Sequence, residues 1–181
     1  MLQMAEEFYT SIGLKPLSPE FWRHSLIQKP TNRKIQCTAS AWDFCNKMDY
    51  RLKQCTEVNM EDLISLHHEM AHIQYYLQYS KQPFLYRDGS NPGFHEGLAN
   101  AIVLSVYNPV HFHRVGLFNN STDTYELNMN FLMTMALKKV AYAPFALLVD
   151  QVSCINHIRT SNHNNLFLSG AITYSKAVLE R

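Results

Sequence analysis

The stretch Asn59-Met60-Glu61-Asp62-Leu63-Ile64-Ser65-Leu66-His67-His68-Glu69-Met70-Ala71-His72-Ile73-Gln74-Tyr75-Tyr76-Leu77 decides the fold. Leu63, Leu66, Met70, Ile73 and Leu77 recur at spacings of 3, 4, 3 and 4, which is the period of a helix burying one face. Asn59 followed by Asp62 makes a capping-box-like start, and Ser80-Lys81-Gln82-Pro83 ends the helix. Within it, His68 and His72 stand at i and i+4, one turn apart on one face, so both imidazoles can reach a single metal ion. Glu69 projects beside them, where a water on that ion would sit.

Catalytic zinc takes three protein ligands and keeps one position open. Two downstream carboxylates are in reach, Asp88 and Glu96. Asp88 adjoins Gly89 in a turn, where it reads as turn-stabilising. Glu96 lies on the first turns of a second helix, opened by Asn91-Pro92 and stopped by Asn108-Pro109. If the two helices are antiparallel across the Pro83–Pro92 loop, Glu96 returns over the histidines, and Asn100, one turn on, can accept a hydrogen bond from a ligand imidazole. A histidine-bearing helix face is more often merely solvated or part of a core, but the adjacent Glu and the placed third carboxylate favour zinc. A structural metal module would use four Cys or His ligands and no neighbouring Glu. His67, His95, His111 and His113 lack ligand spacing and read as structural.

Working outward, residues 2–12 predict a helix with Met4, Ala5 and Phe8 on one face, stopped at Gly13. Ser18-Pro19-Glu20 starts another, leading into Phe21, Trp22 and Leu26. Ile35 to Phe44 and Tyr50 to Cys55 read as strands of a hairpin turning at Cys45–Asp49, with Cys37 and Cys55 facing each other across it. Asp123 with Glu126 caps a later helix reaching Ala141, with Leu127, Phe131, Met135 and Leu137 inward. The fold class is mainly α with one short β-hairpin.

The composition agrees: 46% apolar, 17% charged and only six glycines. A net charge of +1 gives no electrostatic reason to expect nucleic acid as partner. The start, Met1 to Glu7, lacks the features of a signal peptide. The longest apolar run, Ala143 to Val149, is interrupted by Pro144, so no transmembrane segment is expected.

With these residues in place, the chain resembles the angiotensin-converting enzyme family. Glu61-Asp62-Leu63 leading into His67-His68-Glu69-Met70-Ala71-His72-Ile73-Gln74-Tyr75-Tyr76 is similar to its zinc helix, and Asn91-Pro92-Gly93-Phe94-His95-Glu96 to its third-ligand segment. Pro19-Glu20-Phe21-Trp22, Cys37 through Phe44, Lys53-Gln54-Cys55-Thr56, Asn130 through Met133, Met135-Ala136-Leu137, and Pro144 through Gln151 resemble the family in the same order. The resemblance covers about residues 1–151. It implies a helical zinc peptidase core in an incomplete domain, releasing C-terminal dipeptides from oligopeptides. His68, His72 and Glu96 match its ligands for one zinc ion, and Glu69 its general base. Ala39 falls on the strand whose backbone binds substrate, and Cys37 and Cys55 match a disulfide. An extracellular or membrane-anchored ectodomain is implied, with anchoring only through parts absent here. Chloride belongs to the family's repertoire, but nothing in this chain supplies a site for it. Asn119 and Asn120 open overlapping glycosylation sequons.

Two substitutions depart from the family. Thr38 stands at a substrate-holding histidine, and Asn100 at an aspartate behind a zinc histidine. They favour an alternative reading, a silent member or truncated isoform that binds zinc or peptide without cleavage. Family members are also several hundred residues long, so a short chain is expected to leave apolar helix faces uncovered and to be poorly soluble. Residues 152–181 lose the resemblance at Val152-Ser153, which a splice-donor sequence would encode. They read as intron read-through, with a genuine divergent tail as the alternative.

Overall fold

The computed structural model describes residues 1–117 and 125–160. They fall into two units, Met1–Asn119 and Asn120–Arg181, taken separately here. The first contains α1 (Leu2–Ser11), α2 (Pro19–His24), β1 (Ser40–Asp43), β2 (Tyr50–Lys53), α3 (Met60–Tyr79), a 3-10 turn (Phe84–Tyr86), α4 (Pro92–Val106) and α5 (Pro109–Arg114). Pro109 therefore starts a further short helix as well as stopping α4, with Asn108 Oδ1 accepting from the Val110 N–H.

α3 is the element on which the rest assembles. Its start is fixed by Asn59, whose side chain accepts from the Asp62 N–H, in agreement with the capping signal. Leu66, Met70 and Ile73 are fully buried along one face. Around them pack Ala5 and Tyr9 of α1, Phe21 of α2, Tyr50 and Leu52 of β2, and Ala99 of α4. Each large side chain so buried stabilises the fold by about 1.5–3 kcal/mol. Polar ties set the height of α3 in this core. Tyr9 donates its hydroxyl to the His67 carbonyl, Gln54 Nε2 donates to the Asp62 carbonyl, and Gln74 Nε2 donates to the Lys15 carbonyl.

The hairpin is shorter than its apolar pattern suggests. β1 and β2 pair antiparallel from Ser40↔Lys53 to Asp43↔Tyr50. The connection is the four residues 45–48, closed by the Phe44 N–H donating to the Asp49 carbonyl at 3.1 Å. Asn46 Oδ1 accepts from the Met48 and Asp49 N–H groups, and Cys45 and Lys47 adopt positive φ. Past the ladder, Cys37 and Cys55 are joined in a disulfide with Cα atoms 5.1 Å apart. The far edge of β2 is occupied too: the Leu26 N–H donates to the Leu52 carbonyl, and the Gln54 N–H to the Leu26 carbonyl. β1 is thus the edge strand.

The second unit comprises α6 (Tyr125–Met135), a π-helical segment (Ala136–Val140) and α7 (Tyr142–Thr160). α7 runs without a break through residues 151 and 152. Pro144 does not interrupt it. Proline deprives the carbonyl four residues earlier, Val140, of its partner, and the wide π turn ends at that position, with the Ala141 N–H donating to the Ala136 carbonyl. One expectation is corrected in consequence. Leu137 is 63% exposed rather than inward, and Phe131 and Met135 are only half-buried. Asn128–Ser153 is a 26-residue stretch whose most apolar 18 residues have mean hydropathy 1.4, enough by length and composition alone to cross a membrane. Lys138 and Lys139 fall near its middle, where each charge would cost about 2.5–3.5 kcal/mol in hydrocarbon. Its exposed Leu132, Met133, Val140, Phe145 and Leu147 therefore suit cover by further protein better than by lipid. Asn119, Asn120 and Asp123 lie outside the described residues, as do 161–181 and the side chain of Leu127.

Because Leu66 is fully buried in the core around α3, Leu66→Ala is expected to destabilise the chain by about 2–5 kcal/mol. Urea denaturation followed by circular dichroism at 222 nm measures it.

Candidate metal centre

The centre forms where α3 and α4 pass each other. α4 begins at Asn91, whose side chain accepts from the Phe94 N–H, with Pro92 at the first helical position. That cap fixes the phase of α4, and Glu96 on its second turn faces the histidines of α3. His68 Nε2 lies 3.0 Å from Glu96 Oε2, His72 Nε2 lies 3.6 Å from Glu96 Oε1, and the two imidazole Nε2 atoms are 3.2 Å apart. Donor atoms of all three residues lie within 4.8 Å of one another. Ligands at about 2.0–2.1 Å in a tetrahedron stand roughly 3.3 Å apart, so both the spacing and the two-imidazole, one-carboxylate donor set fit zinc.

The electrostatics match that use. His72 is buried, and burial, helped by the neighbouring His95 and His68 and opposed by Glu96, lowers its pKa to about 4. It is therefore a neutral imidazole at pH 7, the form that binds metal. Glu96 is exposed at 58%. Glu69 sits between these extremes. Burial, reinforced by the charge of Glu96 and opposed by a hydrogen bond from the Ala41 N–H, raises its carboxyl to about 7.

The hairpin explains that last bond. Phe44 and Asp49 form a hydrogen-bonded pair, so Trp42/Arg51 and Ser40/Lys53 do as well, and the N–H of Ala41 points off the free edge of β1. Glu69 meets that edge. Ala39 stands just before β1 and shares the phase of Ala41, two residues on. Thr38 is exposed, and its hydroxyl accepts from Gln36 Nε2 at 3.5 Å. Asn100 donates its side-chain amide to the Glu96 carbonyl at 2.8 Å, bracing the turn that carries the carboxylate. Asp88 accepts from the Gly89 N–H at 2.7 Å and stands outside the donor cluster, in its turn-stabilising role.

Among the remaining histidines, His67 is core: its Nδ1 donates to the Leu63 carbonyl at 2.7 Å. His111 packs edge-on against Phe8. His95 lies against the cluster: its ring stacks on that of His72, with centroids 4.3 Å apart and planes at 11°. No spacing rule identifies such a residue, because it lies one position from Glu96 and meets His72 only through the fold. Its sole signal is the adjacency to a carboxylate ligand candidate.

Comparison with known proteins agrees with this geometry. The family described as Angiotensin-converting enzyme matches residues 1–167. The chain is 53% identical over 152 residues to an angiotensin-converting enzyme of Bos taurus, covering 83% of this chain and 12% of that protein. It is 48% identical over 151 residues to one of Theromyzon tessulatum, covering 83% and 24%. A third, from Haematobia irritans exigua, is 48% identical over 152 residues, covering 83% and 25%. The chain thus spans a quarter or less of these relatives.

The raised carboxyl of Glu69 sets a pH dependence in the metal-free chain. Its folded pKa, about 7, lies above the unfolded value of 4.5, so its contribution to stability is complete below pH 4.5 and is lost as pH rises through 7. Glu69→Gln removes that loss. The variant is expected to be more stable than the parent above pH 7, by at most about 3 kcal/mol, and equal to it near pH 4. Urea midpoints at pH 4, 6 and 8 in the presence of a chelator measure the difference.

Proposed function

Because the chain belongs to the angiotensin-converting enzyme family, we propose that it carries the zinc centre of a metallopeptidase that releases dipeptides from the C-termini of oligopeptides. The observation that carries this reading is the convergence of His68, His72 and Glu96 within 4.8 Å, with Glu69 alongside. These three residues would hold one zinc ion. Zinc there supplies a Lewis acid that acidifies water and polarises the carbonyl to be cleaved.

The chain's own groups divide the remaining work. Glu69 accepts the proton of the attacking water on a carboxylate oxygen and returns it to the leaving amine nitrogen, so no net proton is consumed at the residue. The Ala41 N–H, on the free edge of β1, favours the charged form of that carboxylate. The same edge is the place for the substrate backbone, added as a further strand opposite Ala39. A peptide so aligned has its amide plane beside the base. Asn100 steadies the Glu96 turn, and its amide oxygen is the group offered to a ligand imidazole. The Cys37–Cys55 bond fixes the chain just ahead of Ala39 and supports an oxidising, extracellular setting for the protein.

A second reading, binding of zinc or peptide without cleavage, is favoured by Thr38. Its hydroxyl replaces an imidazole near the substrate and has shorter reach.

Metal analysis after zinc loading and desalting is expected to give one zinc per chain. His68→Ala and His72→Ala should each remove it, while Glu69→Gln retains it. Hydrolysis of a blocked tripeptide should fall about 10²–10⁴-fold in Glu69→Gln. Zinc in the parent with no hydrolysis by the complete protein would instead support the binding-only reading, and no zinc in the parent would remove the peptidase reading and leave only binding of peptide.

A further inference from the structure

The ring of His95 is placed with unusual care for a residue outside the donor set. It lies flat on His72 with centroids 4.3 Å apart, stacks on Tyr76 at 5.8 Å and 16°, and takes the edge of Tyr75 at 5.1 Å and 87°. Its Nδ1 is buried and has no hydrogen-bond partner. The reason is visible on the other side. A Cβ at Gly89 would stand 2.9 Å from His95 Cβ, 3.1 Å from Nδ1 and 3.2 Å from Cγ. The loop backbone at Gly89 therefore closes directly over the imidazole. Gly89 does not lie in the left-handed region, so what the position requires is space. A polar ring nitrogen pressed against a glycine, where a leucine or phenylalanine would bury without desolvation cost, asks for another explanation of how the ring is used.

We propose that His95 is a positioning residue for the metal centre: its ring, clamped by Gly89, Tyr75 and Tyr76, fixes the plane of the His72 imidazole so that Nε2 faces His68 and Glu96. This rests on the zinc reading above. A ligand histidine is ordinarily oriented by a hydrogen bond to its second ring nitrogen. Here a flat stack does the same work through contact, restricting rotation of the ring about χ2. The function belongs to the shape of the ring, so a phenyl group should replace it and an aliphatic chain should not.

The test compares zinc affinity in the full chain, read by competition with a chromophoric chelator, with circular dichroism at 222 nm as the check on folding. An aromatic stack is worth about 0.5–1.5 kcal/mol, so His95→Leu should weaken zinc by roughly 2- to 12-fold at unchanged helicity. His95→Phe should stay within about twofold of the parent, and Gly89→Ala, which displaces the ring, should weaken zinc as His95→Leu does. The d–d bands of the cobalt-substituted chain should shift in His95→Leu and not in His95→Phe. Equal affinity in the parent and His95→Leu would overturn the proposal while leaving the zinc reading intact. So would equal losses in His95→Leu and His95→Phe, which would assign the effect to an imidazole nitrogen. Should either variant lose helicity, Gly89→Ala, which moves the His95 ring while leaving every site side chain unsubstituted, decides between these outcomes through the cobalt spectrum. A parent that binds no zinc would overturn the zinc reading, and this proposal with it.

Discussion

Everything at this centre depends on the approach of α4 to α3. Two histidines one turn apart on a single helix define a direction but not a site, because a metal needs a third donor from outside their plane. The antiparallel crossing brings Glu96 to 3.0 Å from His68 and 3.6 Å from His72, on the side left open by the imidazoles. Ala99, one turn further along α4, is fully buried against the core of α3. A larger side chain there would push the helices apart and carry the carboxylate with it. The caps at Asn59 and Asn91 then set the rotation of each helix about its own axis.

A gradient of burial runs across the same crossing. His72 is enclosed and neutral, Glu69 is partly enclosed, and Glu96 is open to solvent. This ordering gives each group the protonation behaviour its position needs. Enclosure lowers the pKa of the His72 imidazole and raises that of the Glu69 carboxyl. The hairpin contributes to the middle case. By turning the N–H of Ala41 away from β2, the ladder leaves that dipole to act on the Glu69 carboxyl.

Much of this was legible in the residues, for physical reasons that differ from element to element. The start of α3 could be read because a cap is local: Asn59 and Asp62 are three residues apart and bond to each other. The pair His68 and His72 could be read because helical period alone puts them on one face. Glu96 needed the further assumption of an antiparallel return, for which Pro83 and Pro92 bound the loop. The ends of the strands could not be read, because the ladder ends at Ser40↔Lys53 while the apolar pattern runs on toward Ile35. His95 was invisible for a similar reason. Its stack on His72 exists only once Gly89 has folded over it, and nothing in their separation along the chain announces that contact.

The π-helical segment at Ala136–Val140 has a different kind of consequence. A turn that takes one additional residue shifts the helix beyond it by about 100° relative to a straight continuation of the helix before it. A stripe drawn along α6 and extended by rote therefore winds off its own side at Ala136, and Leu137 was assigned inward on that basis. The wide turn acts as a vernier between two otherwise regular rods. Removing one residue from it would leave a continuous α-helix whose outer half had been rephased, presenting a new set of side chains without altering the sequence of either half.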